Sequence, residues 1–388
     1  MRAARKSILP GENVLLPEHA LHALLAQQTE SRFPALSMAI GRGSETIWQA
    51  AVGYADVEKQ RNNTPDMAFG IGSITKVFIA VLLLQLCEEG QLPLDAPVSR
   101  WLEAKRLAGI ANAQRVTTRQ LLSHYAGMRS WEDEPAWIAD ARGQRLTPEK
   151  TWRPVENLDY IRDKPARFAP GEAFHYSNTH FTLLGLLIET ITQNKLEAVL
   201  YQRIFQPLAL QHTFLEGYSP AGSRKIARRY HRLDPDFLRN AGLSPHMKPV
   251  SDGLIDVSAS NLSVEWAAGG ILSTAQDLMT FMLALRNGRL LCAQSMREMQ
   301  RWLPADNDKM GLSLFNIDSA WGTASGHGGN VLGFSACAWW YEEADCALAI
   351  LTNVGSMHAA PLADSASRFF RQSDAGRLAQ AICTRHHR

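Results

Sequence analysis

The stretch FGIGSITKVFIAVLLLQLCEEG, residues 69–90, decides how this chain folds. It opens with two glycines in a turn-like run, and Ser73 and Lys76 follow, three residues apart. Residues 77–84 are all apolar, and a helix that is apolar on every side has to be buried. The run is shorter than the ~18 residues that span a bilayer. It therefore predicts the central helix of a globular protein, with Ser73 and Lys76 at its start.

Ser73 and Lys76 should point the same way, because residues three apart share one face of a helix. The start of a helix also offers free N–H groups and partial positive charge. A nucleophile, a candidate base and an anion-stabilising pole thus fall within one turn. Ser-x-x-Lys is nevertheless a common pair, and a serine at a helix start is often only an N-cap. The other motifs of the chain decide between these two interpretations.

Length and composition indicate an ordinary globular protein. A chain of 388 residues is long for a single core, so two lobes are expected. The content of 46% apolar and 20% charged residues is ordinary for a globular protein. A net charge of +2 offers no electrostatic case for nucleic acid or an anionic membrane. The basic N-terminus lacks the apolar core of a signal peptide, so a cytoplasmic location is predicted.

The five cysteines are scattered along the chain, at Cys87, Cys292, Cys337, Cys346 and Cys383. An odd number without a C-x-x-C pair fits buried free thiols in a reducing compartment. Cys337 and Cys346 are expected on neighbouring strands but not directly opposite each other. No disulfide is therefore predicted.

The ends of the chain are rich in β-strand signals, and the middle is helical. Residues 35–40 and 46–54 predict a hairpin, and strand signals return from Met310 onward. Residues 130–154 have no clear period and are predicted to be a loop or lid, and residues 206–263 show no readable pattern. A C-terminal helix is expected to begin within 361–370 and to be followed by a basic tail.

These signals predict an α/β (α+β) fold made of two lobes. The economical arrangement is one antiparallel sheet flanked by helices, built from residues 1–90 and 255–388, with a mostly helical lobe of residues 91–254 inserted. The site would then lie between the lobes, where pockets occur most often.

Three stretches combine turn residues with reactive side chains, one in each section of the chain. They are SITK at 73–76, YSN at 176–178 and HGG at 327–329, the last within GHGGN. In this order they resemble the S-x-x-K, Y-x-N and K/H/W-x-G motifs of the serine hydrolase family that includes class C β-lactamases, D-alanyl-D-alanine carboxypeptidases and β-lactamase-like esterases. Segments such as LLSHYAGM and AAGGILSTAQDLMTFM extend the resemblance from about residue 34 to about residue 355. The resemblance implies a β-lactamase/transpeptidase-like fold.

The resemblance also implies roles for the first two motifs. Ser73 would be the nucleophile, and Lys76 and Tyr176 would act as a coupled pair, with Tyr176 protonating the leaving group. A Ser-His-Asp mechanism has no support, because the chain has no G-x-S-x-G elbow. The residues leave open whether Lys76 or Tyr176 removes the proton of Ser73.

The oxyanion hole and the substrate contacts come from the second and third motifs. By resemblance, the backbone N–H groups of Ser73 and Asn330 would bind the oxyanion. Gly328 and Gly329 would let the strand approach the substrate closely. Asn178 would hydrogen-bond Lys76 or a substrate amide, although taken alone it fits an N-cap equally well.

The third motif bears on the substrate. Class C β-lactamases have Lys-Thr-Gly there, and the first two side chains help to hold a substrate carboxylate. His327 is mostly neutral at pH 7, and Gly328 has no hydroxyl. Carboxylate recognition should therefore be weak, which argues against efficient penicillin or cephalosporin hydrolysis. Esterases of the family tend to have an aromatic residue or His followed by two glycines here, so the resemblance implies a carboxylesterase acting on small to medium esters. The alternatives are a D-amino-acid-specific peptidase or amidase, a weak β-lactamase, or an acyltransferase that uses the same acyl-enzyme.

A non-enzymatic sensor with this fold is disfavoured, because Ser73, Lys76 and Tyr176 are all present. No metal and no cofactor are expected, since the chain has no H-E-x-x-H, P-loop or G-x-G-x-x-G pattern. The expected partner is a small-molecule ester or amide substrate, with no nucleic acid and no membrane. The oligomeric state is left open.

Overall fold

The computed structural model describes residues 17–148, 150–220, 222–251, 253–355 and 365–385. Its strands are β1 (Ala35–Arg42), β2 (Glu45–Asp56), β3 (Arg61–Asn62), β4 (Met67–Gly70), β5 (Phe214–Leu215), β6 (Lys225–Ile226), β7 (Tyr230–Arg232), β8 (Lys248–Ser251), β9 (Leu254–Asp256), β10 (Ile271–Ser273), β11 (Leu303–Ala305), β12 (Asp308–Met310), β13 (Phe315–Ser319), β14 (Gly322–Val331), β15 (Phe334–Tyr341) and β16 (Cys346–Thr352).

The α-helices are α1 (Pro17–Ser31), α2 (Thr75–Glu88), α3 (Ala104–Leu107), α4 (Thr118–Leu122), α5 (Pro135–Arg142), α6 (Glu156–Asp159), α7 (Asn178–Thr192), α8 (Leu196–Leu200), α9 (Pro235–Asn240), α10 (Ala275–Arg286), α11 (Ala293–Met299), α12 (Ala366–Gln372) and α13 (Asp374–Thr384).

The largest sheet joins the two ends of the chain. It has nine strands in the order β11-β12-β13-β14-β15-β16-β1-β2-β3, and its neighbouring strands are antiparallel. β1 pairs with β16, where Met38 lies opposite Ile350. The prediction of one antiparallel sheet built from both ends of the chain is confirmed. Two small sheets, β5-β10-β4-β6 and β7-β9-β8, lie outside it, and the second falls in the unreadable segment 206–263.

Both faces of the large sheet are covered by helices. Successive side chains of a strand point to opposite faces, and β16 shows the consequence. Ala347, Ala349 and Leu351 pack into the core that contains α2 and α10. Leu348 and Ile350 pack into a second core with α1, α12 and α13. This explains why β16 is apolar at nearly every position rather than at alternate ones.

Helix α2 is the buried central helix that the apolar run predicts. Residues 75–84 are all buried, and the ring of Phe78 stacks on that of Phe281 from α10, with centroids 3.6 Å apart. A single 3-10 turn, Gly72–Ile74, leads into the helix. Ser73 therefore lies in this turn, and Lys76 lies in the first turn of α2.

The prediction of a loop or lid at residues 130–154 is wrong for its first half. Helix α5 occupies Pro135–Arg142, and the side chains of Trp131 and Trp137 are buried. The indole N–H of Trp137 donates to Asn157 Oδ1 at 2.8 Å. A helix of eight residues is too short to show a period, and such a helix depends on tertiary contacts rather than on its own propensity.

The C-terminal segment also differs from its prediction. A helix, α13, stands where a basic tail was expected, and its Cys383 forms a disulfide with Cys346 of β16, with Cα atoms 5.5 Å apart. The expectation that all cysteines are free is therefore wrong for this pair, while Cys87, Cys292 and Cys337 are free thiols. The pair is 37 residues apart in sequence and meets only because α13 packs on the sheet. The predicted helix start at 361–364 lies outside the described residues.

The division into lobes at residues 1–90 and 255–388 against 91–254 stays a prediction. Across the described ranges, no helix has both the length and the apolar character needed to cross a membrane.

Candidate active site

Ser73 and Lys76 are in direct contact at the start of α2. Lys76 Nζ donates to Ser73 Oγ at 3.0 Å and to the backbone oxygen of Ala268 at 2.7 Å. The lysine side chain is fully buried, and its nitrogen lies 4.9 Å from the ring centroid of Tyr176 and 5.2 Å from that of Phe181. The buried apolar helix therefore carries a lysine amine that faces the serine hydroxyl.

Burial lowers the pKa of Lys76 to about 8, because an ammonium ion is poorly solvated in the interior. The carboxyl groups of Glu132 and Glu265 oppose this shift by favouring the charged form. The resulting pKa leaves a useful neutral fraction of the amine near neutral pH, which an exposed lysine does not have.

Tyr176 lies beside Lys76, in the segment that enters α7. Burial raises the pKa of Tyr176 well above its usual value; the nearby Ser73 side chain opposes the rise, and the charges of Glu132 and Glu265 add to it. The phenol is thus held in its protonated form. Its oxygen makes no hydrogen bond of normal geometry to the described residues.

The third motif lies on β14 and touches the turn that holds Ser73. A Cβ added to Gly329 would lie 3.0 Å from Ser73 N, and one added to Gly72 would lie 2.8 Å from Asn330 N. Gly72 also has a φ of +52°, a conformation that glycine adopts without strain. The backbone nitrogens of Ser73 and Asn330 therefore both lie where β14 contacts the Gly72–Ile74 turn.

His327 is buried on β14, and its Nδ1 donates to the backbone oxygen of Gly328. Its ring centroid lies 6.2 Å from that of Tyr176 and 5.0 Å from that of Phe315. Burial, assisted by the positive charge of Lys76, lowers the pKa of His327 to about 3. The histidine is therefore neutral, and it places no cation at the position where a Lys-Thr-Gly motif would.

Asn178 is the first residue of α7 and is buried. Its side-chain nitrogen donates to Glu132 Oε2, and its backbone N–H donates to Ser130 Oγ at 2.9 Å. Asn178 therefore reaches the surroundings of Lys76 through the Glu132 carboxylate.

Several residues near the site were missed from the sequence. Glu132 lies within residues 130–154, where no motif marks it. Glu265 is buried and forms an ion pair with buried Arg142 of α5. His124 lies outside the three motifs, yet its ring stacks on Tyr176 with centroids 4.1 Å apart. The LLSHYAGM segment that contains His124 was the one available signal. In the part of the chain that the structure describes, no group of three His, Cys, Asp or Glu side chains could hold a metal ion.

Comparisons with known proteins place the chain in a family. The family model described as Beta-lactamase matches residues 21–369. Among curated proteins, the esterase EstB of Burkholderia gladioli is 32% identical over 203 residues, which is 52% of this chain and 51% of the esterase. The chain thus spans about half the length of this relative.

Two solved structures are similar over nearly the whole chain. A D-stereospecific amidohydrolase from Streptomyces sp. has a TM-score of 0.75 at 30% identity, covering 87% of this chain and 94% of that one. The D-amino acid amidase of Ochrobactrum anthropi SV3, complexed with L-phenylalanine amide, has a TM-score of 0.78 at 26% identity, covering 94% and 98%. These matches confirm the predicted β-lactamase/transpeptidase-like fold. With a family match that covers most of its length, this chain belongs to the β-lactamase family.

Proposed function

We propose that this protein is a serine hydrolase that forms an acyl-enzyme on Ser73 and acts on small to medium esters. The observation that carries the proposal is the 3.0 Å contact between Ser73 Oγ and Lys76 Nζ. A serine hydroxyl needs a base at hydrogen-bond distance to become a nucleophile. The buried Lys76 amine, with a pKa of about 8, is such a base near neutral pH.

In the first step, Ser73 Oγ attacks the carbonyl carbon of the ester while its proton passes to Lys76 Nζ. The electron pair of the C=O bond moves to the oxygen. The backbone N–H groups of Ser73 and Asn330 are the donors proposed to bind this oxyanion. Their meeting at the junction of β14 and the Gly72–Ile74 turn supports this assignment.

The tetrahedral intermediate then loses the alcohol. The electron pair of the oxyanion re-forms the C=O bond as the bond to the leaving oxygen breaks. The Tyr176 hydroxyl protonates that oxygen, and Lys76 returns a proton to Tyr176. A phenol whose pKa is raised by burial is protonated at the start of this step, as a donor must be. Water then attacks the acyl group by the same route and releases the acid and free Ser73.

The preference for esters rests on the third motif. His327 is buried and neutral, and Gly328 carries no side chain, so neither offers a charge or hydroxyl for a substrate carboxylate. An uncharged ester needs no carboxylate contact in addition to Ser73, the Lys76–Tyr176 pair and the oxyanion donors. The esterase among the relatives supports this preference.

The second candidate is an amidase that acts on D-amino acid derivatives. The two structural neighbours, named for D-stereospecific amide hydrolysis, are the observation that favours it. Amide hydrolysis makes a greater demand on Tyr176, because an amine leaves only once it has been protonated.

A panel of chromogenic substrates separates the candidates. We would measure kcat/KM for p-nitrophenyl butyrate, D-phenylalanine p-nitroanilide and a chromogenic cephalosporin, with the wild-type enzyme and Ser73→Ala. The proposal expects the ester to be the best substrate and Ser73→Ala to lose at least ~1000-fold. A higher value for the anilide would favour the amidase, and full activity of Ser73→Ala would refute both. Product analysis in the presence of methanol would reveal acyl transfer.

The cytoplasmic location stays a prediction, and the Cys346–Cys383 disulfide weighs against it. Disulfides persist mainly in oxidising compartments. Fractionation of the source cells, followed by thiol labelling of the intact protein, would decide the question.

A further inference from the structure

His124 holds the chain on both sides of Tyr176. Its backbone oxygen accepts the N–H of His175 at 2.9 Å, and its imidazole Nδ1 accepts the N–H of Ser177 at 3.1 Å. Its ring covers Tyr176, with centroids 4.1 Å apart and planes 24° from parallel. One buried residue therefore fixes both peptide groups that flank Tyr176: its backbone oxygen holds His175, and its imidazole holds Ser177 and covers the phenol ring.

The hydrogen bonds define which nitrogen of His124 carries the proton. A backbone N–H can only donate, so Nδ1 of His124 has to present its lone pair to Ser177. His180 Nδ1 lies 3.1 Å from the same atom, so its N–H shares the single lone pair of His124 Nδ1 with the Ser177 N–H. His124 is then the neutral tautomer with its proton on Nε2. Burial and the nearby His180 and Lys76 lower its pKa well below the usual value, which keeps it neutral.

The backbone of His124 is adapted to this position. It has a φ of +61°, in the left-handed region that asparagine, aspartate and histidine adopt more readily than other residues with a side chain. The turn directs the imidazole inward, where the rings of Phe174 and Phe181 lie 6.0 and 5.5 Å from it. The left-handed turn thus places a hydrogen-bond acceptor and an aromatic ring beside Tyr176 and its neighbour Ser177.

We propose that His124 is the positioning residue of Tyr176, holding the phenol where it can pass a proton between Lys76 and the leaving group. The proposal rests on the function given to Tyr176 above. His124 touches no reacting atom and acts through Tyr176 alone. A displacement of about 1 Å in a catalytic group can cost ~100-fold in rate, so removal of His124 should lower kcat far more than it raises KM.

The test is a double-mutant cycle of His124→Ala and Tyr176→Phe, with His124→Asn and His175→Ala measured beside it. His124→Ala removes the acceptor and the ring, and His124→Asn keeps an acceptor and tolerates the left-handed φ. Tyr176→Phe removes the phenol oxygen. His175→Ala is the matched control, because His175 precedes Tyr176 but packs its ring on Phe168, with centroids 6.4 Å apart.

For His124→Ala we expect kcat to fall ~30-fold or more with KM within ~3-fold, and His124→Asn to fall between it and the wild type. In the Tyr176→Phe background, His124→Ala should cost less than ~3-fold, because two residues that act as a unit are not additive. His175→Ala should stay within ~3-fold of wild type. Near-UV circular dichroism and thermal melting would verify folding.

The outcomes separate this proposal from the proposed function. Wild-type kcat in folded His124→Ala, or a full multiplication of the two losses in the double variant, overturns the positioning role. If His124→Ala does not fold, His124→Asn decides, and its wild-type kcat in a folded protein has the same meaning. Wild-type activity of Tyr176→Phe would instead remove the role of Tyr176 itself.

Discussion

Gly329 lies so close to Ile71 that a Cβ on Gly329 would be 1.9 Å from the Ile71 backbone oxygen. The neighbours that would clash are backbone atoms, which have little freedom to move. This contact holds β14 close to the turn that contains Ser73. It thereby sets the distance between the two proposed oxyanion donors, the backbone N–H groups of Ser73 and Asn330.

Gly329→Ala should therefore damage catalysis severely. The added methyl group has to push β14 away from the turn, which misplaces at least one oxyanion donor, and loss of one such donor costs ~100-fold or more in kcat. Ester hydrolysis at saturating substrate would measure the effect. Gly90→Ala is the control, because a Cβ there meets nothing within 4 Å and the residue has a φ of +74°; it should lose some stability and keep its kcat. Near-normal kcat for Gly329→Ala would contradict the assigned oxyanion site.

The pH dependence of the reaction should report Lys76. Burial lowers the pKa of this amine to about 8, and only the neutral amine can accept the Ser73 proton. For an uncharged ester, kcat/KM should therefore rise with pH through about 8 and then level off, since the pKa of Tyr176 is raised well above its usual value. Lys76→Arg should be inactive at every pH, because a guanidinium does not lose its proton. A profile that falls between pH ~7 and ~9 would contradict Lys76 as the base.

Glu132→Gln should move this profile to lower pH. The Glu132 carboxyl raises the pKa of Lys76, so removal of its charge should let the amine lose its proton more easily. Glutamine keeps an oxygen that can accept from Asn178. For each enzyme, kcat/KM at pH ~6.5 would be divided by the value of that enzyme on its high-pH plateau. This ratio should be roughly threefold or more higher for Glu132→Gln than for the wild type. Glu103→Gln is the control, since that side chain is 56% exposed and pairs with Lys105. An unmoved profile would show that Glu132 carries no charge in the resting enzyme.

The Cys346–Cys383 disulfide should stabilise the fold without serving the reaction. It links residues 37 apart, and the loop-closure model gives about 3–4 kcal/mol for a bridge of that span. Cys383→Ser should lower the free energy of unfolding in urea by about this amount and leave ester kcat unchanged. Cys292→Ser is the control, because that thiol is free and exposed. Equal unfolding midpoints for the two variants would contradict a structural role for the bridge.

The features that the sequence predicts are those that depend on residues close together in the chain. The apolar run after Lys76 predicts a buried helix wherever it packs, and β-rich ends around a helical middle lead to a shared sheet. Ser73 and Tyr176 can be proposed from the sequence because short motifs mark them.

Other features depend on contacts between distant segments. Glu132 lies in a stretch without periodicity, and only its hydrogen bond with Asn178 shows that it lies near the site. His124 lies outside the three motifs, and the sequence does not show which ring its side chain contacts. Cys346 and Cys383 come together through a helix that was expected to be a tail.

Mass spectrometry of the intact protein during turnover tests the central claim most directly. The enzyme would be mixed with p-nitrophenyl butyrate and quenched in acid within milliseconds. Its intact mass would then be measured, and the labelled peptide would be sequenced. The account predicts a mass increase of one butyryl group on Ser73, which disappears as the substrate is consumed and is absent in Ser73→Ala. Turnover without any adduct, or an adduct on another residue, would contradict it.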